Sequence, residues 1–169
     1  RARSWRHYKR PMTIVRSNVE YKLNDAHSLI FNYLLNRTGN KQYDEVDDSY
    51  VPTNDVLMKH ILGLSYNQSL LDGKMNNVLF VKDYINHLKV EQTELSFITG
   101  SDEVKSSNTE SYWGYGIGTR YTWASPFALK ASYEHSVRLP ISRELLGNGS
   151  TIYPNIALRP ESSENFNVG

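Results

Sequence analysis

The densest run of potential metal ligands is the octapeptide 43–50, YDEVDDSY, in which Asp44, Glu45, Asp47 and Asp48 stand between two tyrosines. Carboxylate oxygens at this density suit a hard cation such as calcium, but the run lacks the glycine and the ligand spacing of an EF-hand. It therefore reads as a solvated loop. The histidines His7, His27, His60, His87 and His135 include no His-x-His and no pair four residues apart, so they define no metal site. The chain has no cysteine, which removes thiolate ligands, a thiol nucleophile and disulfides together. No Ser-His-Asp order and no convergent pair of carboxylates stands out. The expectation is a chain with no catalytic residues, no metal and no cofactor. The formal sequons at Asn36, Asn67 and Asn148 are discounted, since the first two fall in predicted strands.

Charge is balanced, 19 basic residues against 18 acidic, so no overall field draws the chain to nucleic acid. The basic group Arg1, Arg3, Arg6, Lys9 and Arg10 suits lipopolysaccharide phosphates, although a solvated flank is as common a reading. The opening segment is basic like a signal n-region, but Arg16, Asn18 and Glu20 interrupt the apolar stretch that should follow. An exported protein would carry its targeting segment upstream. No run of about 18 apolar residues occurs, which excludes a membrane helix and leaves membrane strands open.

The elements that must position these residues are strands. In 111–124 the bulky residues Trp113, Tyr115, Ile117, Tyr121 and Trp123 share one face, and Gly114, Gly116, Gly118 and Arg120 share the other. A period of two is the signature of a strand. The same rhythm predicts strands over 12–23, 28–38, 56–71, 76–91, 111–124 and 127–138, with a seventh starting at 164. A blurred phase at Lys82-Asp83 predicts a bulge there. Asp72-Gly73 predicts a tight hairpin, because a type I′ turn needs φ > 0 at both central positions. Ser125-Pro126 and 24–27 mark the other tight turns, whereas 39–55, 93–110 and 139–160 read as long polar loops.

Short turns alternating with long loops are uncommon in a soluble domain, where connections have a median of about 4–6 residues. Bacterial outer-membrane barrels show this alternation. The predicted strands also exceed the usual globular length and match the roughly 9–11 residues that cross a bilayer at a tilt. Tyr21, Tyr66, Phe80, Tyr121, Trp123 and Phe127 fall near the tight turns, while Tyr33, Trp113, Tyr115 and Tyr133 fall nearer the long loops. Two such groups match the aromatic belts of a membrane barrel. On this reading the ring-bearing faces meet lipid and the glycine-rich faces meet a polar lumen. A soluble β-sandwich, with its aromatic face on a second sheet, is the competing fold.

The stretch 128–169 contains Arg138-Leu-Pro140, then Glu144-Leu145 and Gly147, then Asn155, Leu158, Pro160, Glu161, Ser163 and Asn165 before the next strand. In order and spacing it resembles the β-barrel of TonB-dependent outer-membrane receptors. The resemblance implies an all-β, antiparallel, up-and-down barrel of roughly 22 strands around a plug, importing a scarce nutrient with energy delivered by TonB. Siderophore, haem, cobalamin, peptide and glycan are the ligand classes it implies. About seven strands cannot close such a barrel, so residues 1–169 are expected to form one part of it, with the plug and remaining strands elsewhere. Expected partners are outer-membrane lipid and lipopolysaccharide, the TonB complex through the plug, and the nutrient. Candidate ligand contacts are Tyr43, Tyr50, Arg143 and Tyr153. A passive porin-type channel is the alternative function on the same fold, and an enzyme on a barrel rim ranks last.

Overall fold

Long period-two stretches commit the backbone to strand pairing, and in the computed structural model they pair in sequence order. The structure describes residues 6–45, 53–96, 100–141, 144–145 and 157–169. They form one antiparallel sheet of eight strands. These are β1 (Arg6–Lys9), β2 (Met12–Asn24), β3 (His27–Asp44), β4 (Thr53–Leu70), β5 (Met75–Ser96), β6 (Gly100–Ala124), β7 (Phe127–Arg138) and β8 (Glu161–Val168). From β3 to β8 each strand pairs with the next, and β1 and β2 both pair with β3. The sheet is an open meander.

The strand beyond the expected seven is β1. It continues the register of β2 on β3, Lys9 facing Lys41 and Met12 facing Thr38, and is separated from β2 only at Arg10-Pro11. Proline has no N–H for the ladder, so a break there on an edge strand is unsurprising. The Pro11 carbonyl still accepts from the Gly39 N–H at 2.8 Å.

The tight turns are where the sequence places them. Asp72 (φ 54°) and Gly73 (φ 82°) are both left-handed, and the Lys74 N–H closes the turn on the Leu71 carbonyl at 3.1 Å. Leu71 shares the left-handed region, φ 54°, an unusual conformation for a bulky residue. In the first turn the Asn24 side chain accepts from the Ala26 N–H at 2.9 Å, an Asx-turn. Successive hairpins reach farther at this end. Strand β4 runs to Leu70, past the His27–Gln68 pair, and β6 runs to Ala124, past the Met75–Tyr121 pair. This stagger is what a tilted, closing sheet requires.

Two of the three expected long loops are shorter than the sequence suggested, while 139–160 does separate β7 from β8. Much of 39–55 and nearly all of 93–110 is strand, with β5 and β6 paired out to Ser96 and Gly100. Where a hairpin leaves the apolar zone, both faces are polar, alternation vanishes and only the backbone ladder keeps the strand. The expected bulge is also absent: Lys82 and Asp83 pair without interruption with Gly63 and Leu62 on one side and with Gly114 and Trp113 on the other. The register shifts that occur lie beside turns, at Lys22/Asn24 and Thr122/Ala124.

Register sorts the side chains into two faces. Tyr21, Leu29, Tyr66, Leu79, Ile117, Tyr133 and Phe166 lie abreast across β2 to β8. One residue on, the row is Glu20, Ile30, Ser65, Phe80, Gly116, Glu134 and Asn165. The first face bears the rings and is well exposed, with Trp113 at 58%, Ile117 at 48% and Trp123 at 82%. Among the described residues no second sheet covers it, as a sandwich would require. We call it the outer face and the other the inner face.

Phe80 differs from expectation. Instead of joining the ring belt it lies on the inner face beside Gly116. A Cβ on Gly116 would sit 2.6 Å from the Phe80 ring, and one on Gly114 would sit 3.0 Å from the Tyr84 ring. The glycines of β6 therefore make room for two rings from β5. A ring covering a cross-strand glycine is a recurrent device for holding register.

Candidate functional site

Burial concentrates at the end of the inner face opposite the tight turns. Here β3, β4, β5 and β6 bring Asn36, Lys59, Asn86 and Glu110 abreast, and the next inner row holds Thr38, Leu57, Leu88 and Asn108. The start of the connection from β7 to β8, at residues 139–141 and 144–145, folds back onto this surface. After Arg138 ends its strand, Ile141 opens one helical turn, its carbonyl accepting from the N–H groups of Glu144 at 3.0 Å and Leu145 at 3.2 Å. The Glu144 carboxylate returns to accept from the Ile141 N–H at 2.8 Å. A glutamate reaching back to a free N–H at a helix start is one half of a capping box.

That turn aims Leu145 at the sheet. Leu145 forms the main buried apolar cluster with Leu57, Leu88 and Val90, and is itself 2% exposed. Two polar ties add to this anchor. The Lys59 ammonium donates to the Pro140 carbonyl. Arg138 holds Glu144 at 3.1 Å and Glu161 at 3.5 Å, tying both ends of the connection to the top of β7. The Arg138 and Glu144 side chains are substantially exposed, so that pair contributes little.

Asn40, Asp55 and Asn86 are also buried on this part of the sheet. Among the described residues, the side-chain carbonyl oxygens of Asn40 and Asn86 have no hydrogen-bond partner. Buried, unsatisfied acceptors are costly and uncommon in native proteins. Among the described residues no three metal-ligating side chains come together. Donors, acceptors and a seated turn of this kind can hold a polar ligand.

Of the expected ligand contacts only Tyr43 falls among the described residues. Tyr43, expected in a loop, lies in β3 opposite His7 of β1. Its ring stacks on His7 at 5.1 Å and lies 5.4 Å from the Lys9 ammonium. Register puts it on the outer face. Tyr50, Arg143 and Tyr153 lie outside the described residues, as do Asp47 and Asp48. Sequence reading missed Lys59, Asn40 and Asn86. The available signal for Lys59 was its inner-face position in an otherwise largely apolar stretch, LMKHIL; the asparagines offered none.

The outer face satisfies its polar groups locally. Tyr33 bonds His60 at 2.9 Å, Tyr133 and His135 both reach Glu164 at 2.6 Å, and Ser111 donates to Asp83 at 2.5 Å. Fold and mouth together define a staggered up-and-down sheet of the barrel type, with rings outside, polar groups and glycine inside, and a connection tucked into one end. The sequence model of the family described as TonB dependent receptor-like, beta-barrel matches residues 3–169, and the chain belongs to that family. It is a family of outer-membrane transport proteins and not of enzymes. No curated protein and no solved structure matches the chain.

Proposed function

We propose that this sheet is part of the wall of an integral outer-membrane transporter that imports a scarce nutrient and is energised through TonB. The observation that carries the reading is the division of faces. Outward rows of rings and aliphatic side chains lie uncovered, while the rows between them carry Glu20, Ser65, Gly116, Glu134 and Asn165. Water on both faces would disfavour so large an exposed apolar surface, and lipid on one face accounts for it. The open edges of β2 and β8 support a larger closed barrel, because unpaired backbone is not tolerated in hydrocarbon.

In this reading residues 1–169 belong to one barrel domain, and the TonB contact is made by a plug segment outside them. The nutrient is a siderophore, haem, cobalamin, a peptide or a glycan, met on the extracellular side by loop residues that include Tyr50, Arg143 and Tyr153. The lumen-side cluster around Lys59 and Leu145 seats the β7–β8 connection in the mouth and so shapes the entry. The test is uptake by cells carrying the intact gene, with and without TonB, over a panel of the five ligand classes. Uptake of one class that is lost without TonB supports the reading. Uptake that survives loss of TonB points to a passive channel, and release of the protein from membranes by alkaline carbonate refutes the membrane assignment.

A further inference from the structure

We propose that the inner wall at the tight-turn end binds the acidic group of an anionic nutrient as it leaves the lumen. The inference rests on the transporter reading above and narrows its ligand. Arg120 of β6 and Lys130 of β7 stand directly opposite each other on the inner face. Lys130 exchanges both of its backbone bonds with Gly169, at 2.6 and 2.9 Å. Bonded and non-bonded pairs alternate in an antiparallel ladder, so the pair with Arg120 is the narrow kind, with Cα atoms about 4.5 Å apart. Like charges directly opposite destabilise a sheet. Lys74, whose carbonyl accepts from the Thr122 N–H at 2.8 Å, adds a third cation one inner row nearer the turns. All three are exposed.

No described acid offsets this group. The inner positions around it are Ser69, Asn76, Gly118, Ser132 and Asn167, all uncharged. Glu134 lies 3.9 Å from Lys82 instead. Glu20 stands on β2, four strands from β6, and Asp72, at the tip of the β4–β5 turn, forms no ion pair among the described residues. The wall beside the cations is also open. Rings cover Gly114 and Gly116, but a Cβ on Gly118 would meet only the Ser132 Cβ, at 3.9 Å. An arginine fork matches two oxygens of a carboxylate or phosphate, and the lysines add point charge. Asn76, Ser132 and Asn167 offer side-chain donors around the opening. The arrangement suits a small oxyanion and offers no counter-charge to a cation.

The test uses the intact protein in nonionic detergent at low salt, titrated with citrate as a carboxylate probe and pyrophosphate as a phosphate probe. At least one should bind and raise the unfolding midpoint, and the tighter of the two names the acid group. The double variant Arg120→Gln, Lys130→Gln should bind it at least about ten-fold more weakly, while Arg120→Lys, Lys130→Arg retains binding. Heat-modifiable gel mobility reports whether each barrel is folded. If the double variant does not fold, Arg120→Gln and Lys130→Gln alone should each weaken binding several-fold, and no change in either overturns the proposal. Without probe, Lys130→Gln should raise the midpoint by relieving repulsion; a fall would mean that an acidic side chain from elsewhere in the protein already neutralises the pair, which also overturns it. So does failure of both probes to bind, or equal binding by the folded double variant. In the uptake panel the imported class should be anionic, and import of a neutral glycan overturns the proposal while leaving the transporter reading standing. Uptake that survives loss of TonB refutes that reading, and the titration still decides the anion site.

Discussion

Truncating Leu145 to alanine should release the β7–β8 connection from its seat and leave the sheet intact. Leu145 is 2% exposed and touches the sheet through Leu57, Leu88 and Val90. Burying a leucine contributes about 1.5–3 kcal/mol, and truncation adds a cavity term where the site cannot collapse. The seat is made by strand residues held in their ladders, so collapse is limited and the loss is about 2–3 kcal/mol. The remaining ties do not compensate. The exposed Arg138–Glu144 pair contributes at most about 1 kcal/mol, and the charged bond from Lys59 to Pro140 about 1.5–3 kcal/mol. Docking should weaken by a factor of roughly 30 to 150. Hydrogen exchange on the intact protein reads this directly, because the N–H groups of Glu144 and Leu145 are protected by the Ile141 carbonyl. Their protection should fall by that factor while amides of β4 and β5 stay within about two-fold. Unchanged protection at Glu144 and Leu145, or equal loss across the sheet, would refute the seated turn.

Gly116→Ala should lower the unfolding midpoint of the intact protein, by the equivalent of about 1–3 kcal/mol, since its Cβ would meet the Phe80 ring at 2.6 Å and the Tyr133 carbonyl at 2.8 Å. Adding Phe80→Ala should recover only part of this, because the carbonyl cannot swing away as a side chain can; full recovery or none would contradict the geometry. Ile117→Arg on the outer face should cost about 2–4 kcal/mol in lipid-based unfolding, as for a cation near a bilayer midplane, whereas Ser132→Arg on the inner face should be close to neutral; the reverse order would mean the faces are misassigned.

Much of this molecule is legible from local pattern because a strand repeats every two residues. The rings of β6, the Asp72-Gly73 turn, the bounds of β7 and the stretch from Arg138 to Asn165 all follow from residues close together in the chain. What remained hidden depends on partners far away in sequence. Strand ends in 39–55 and 93–110 were invisible because polar side chains on both faces erase the hydropathy signal, while the ladder from Ser96 to Gly100 still forms. Phe80 reads as one of the outward rings near the tight turns, yet the space for it is supplied by Gly116 of the neighbouring strand.

The mouth shows the same division. The sequence alone determined that the strand ends at Arg138 and that Pro140 fixes φ at the start of the loop that follows. Only the tertiary structure decided that this turn delivers Leu145 onto Leu57, Leu88 and Val90 and brings Lys59 to Pro140. It also decided that Tyr43 looks outward beside His7 and Lys9. Those contacts depend on how strands are aligned with one another, and alignment is a property of the whole sheet that no window of sequence contains.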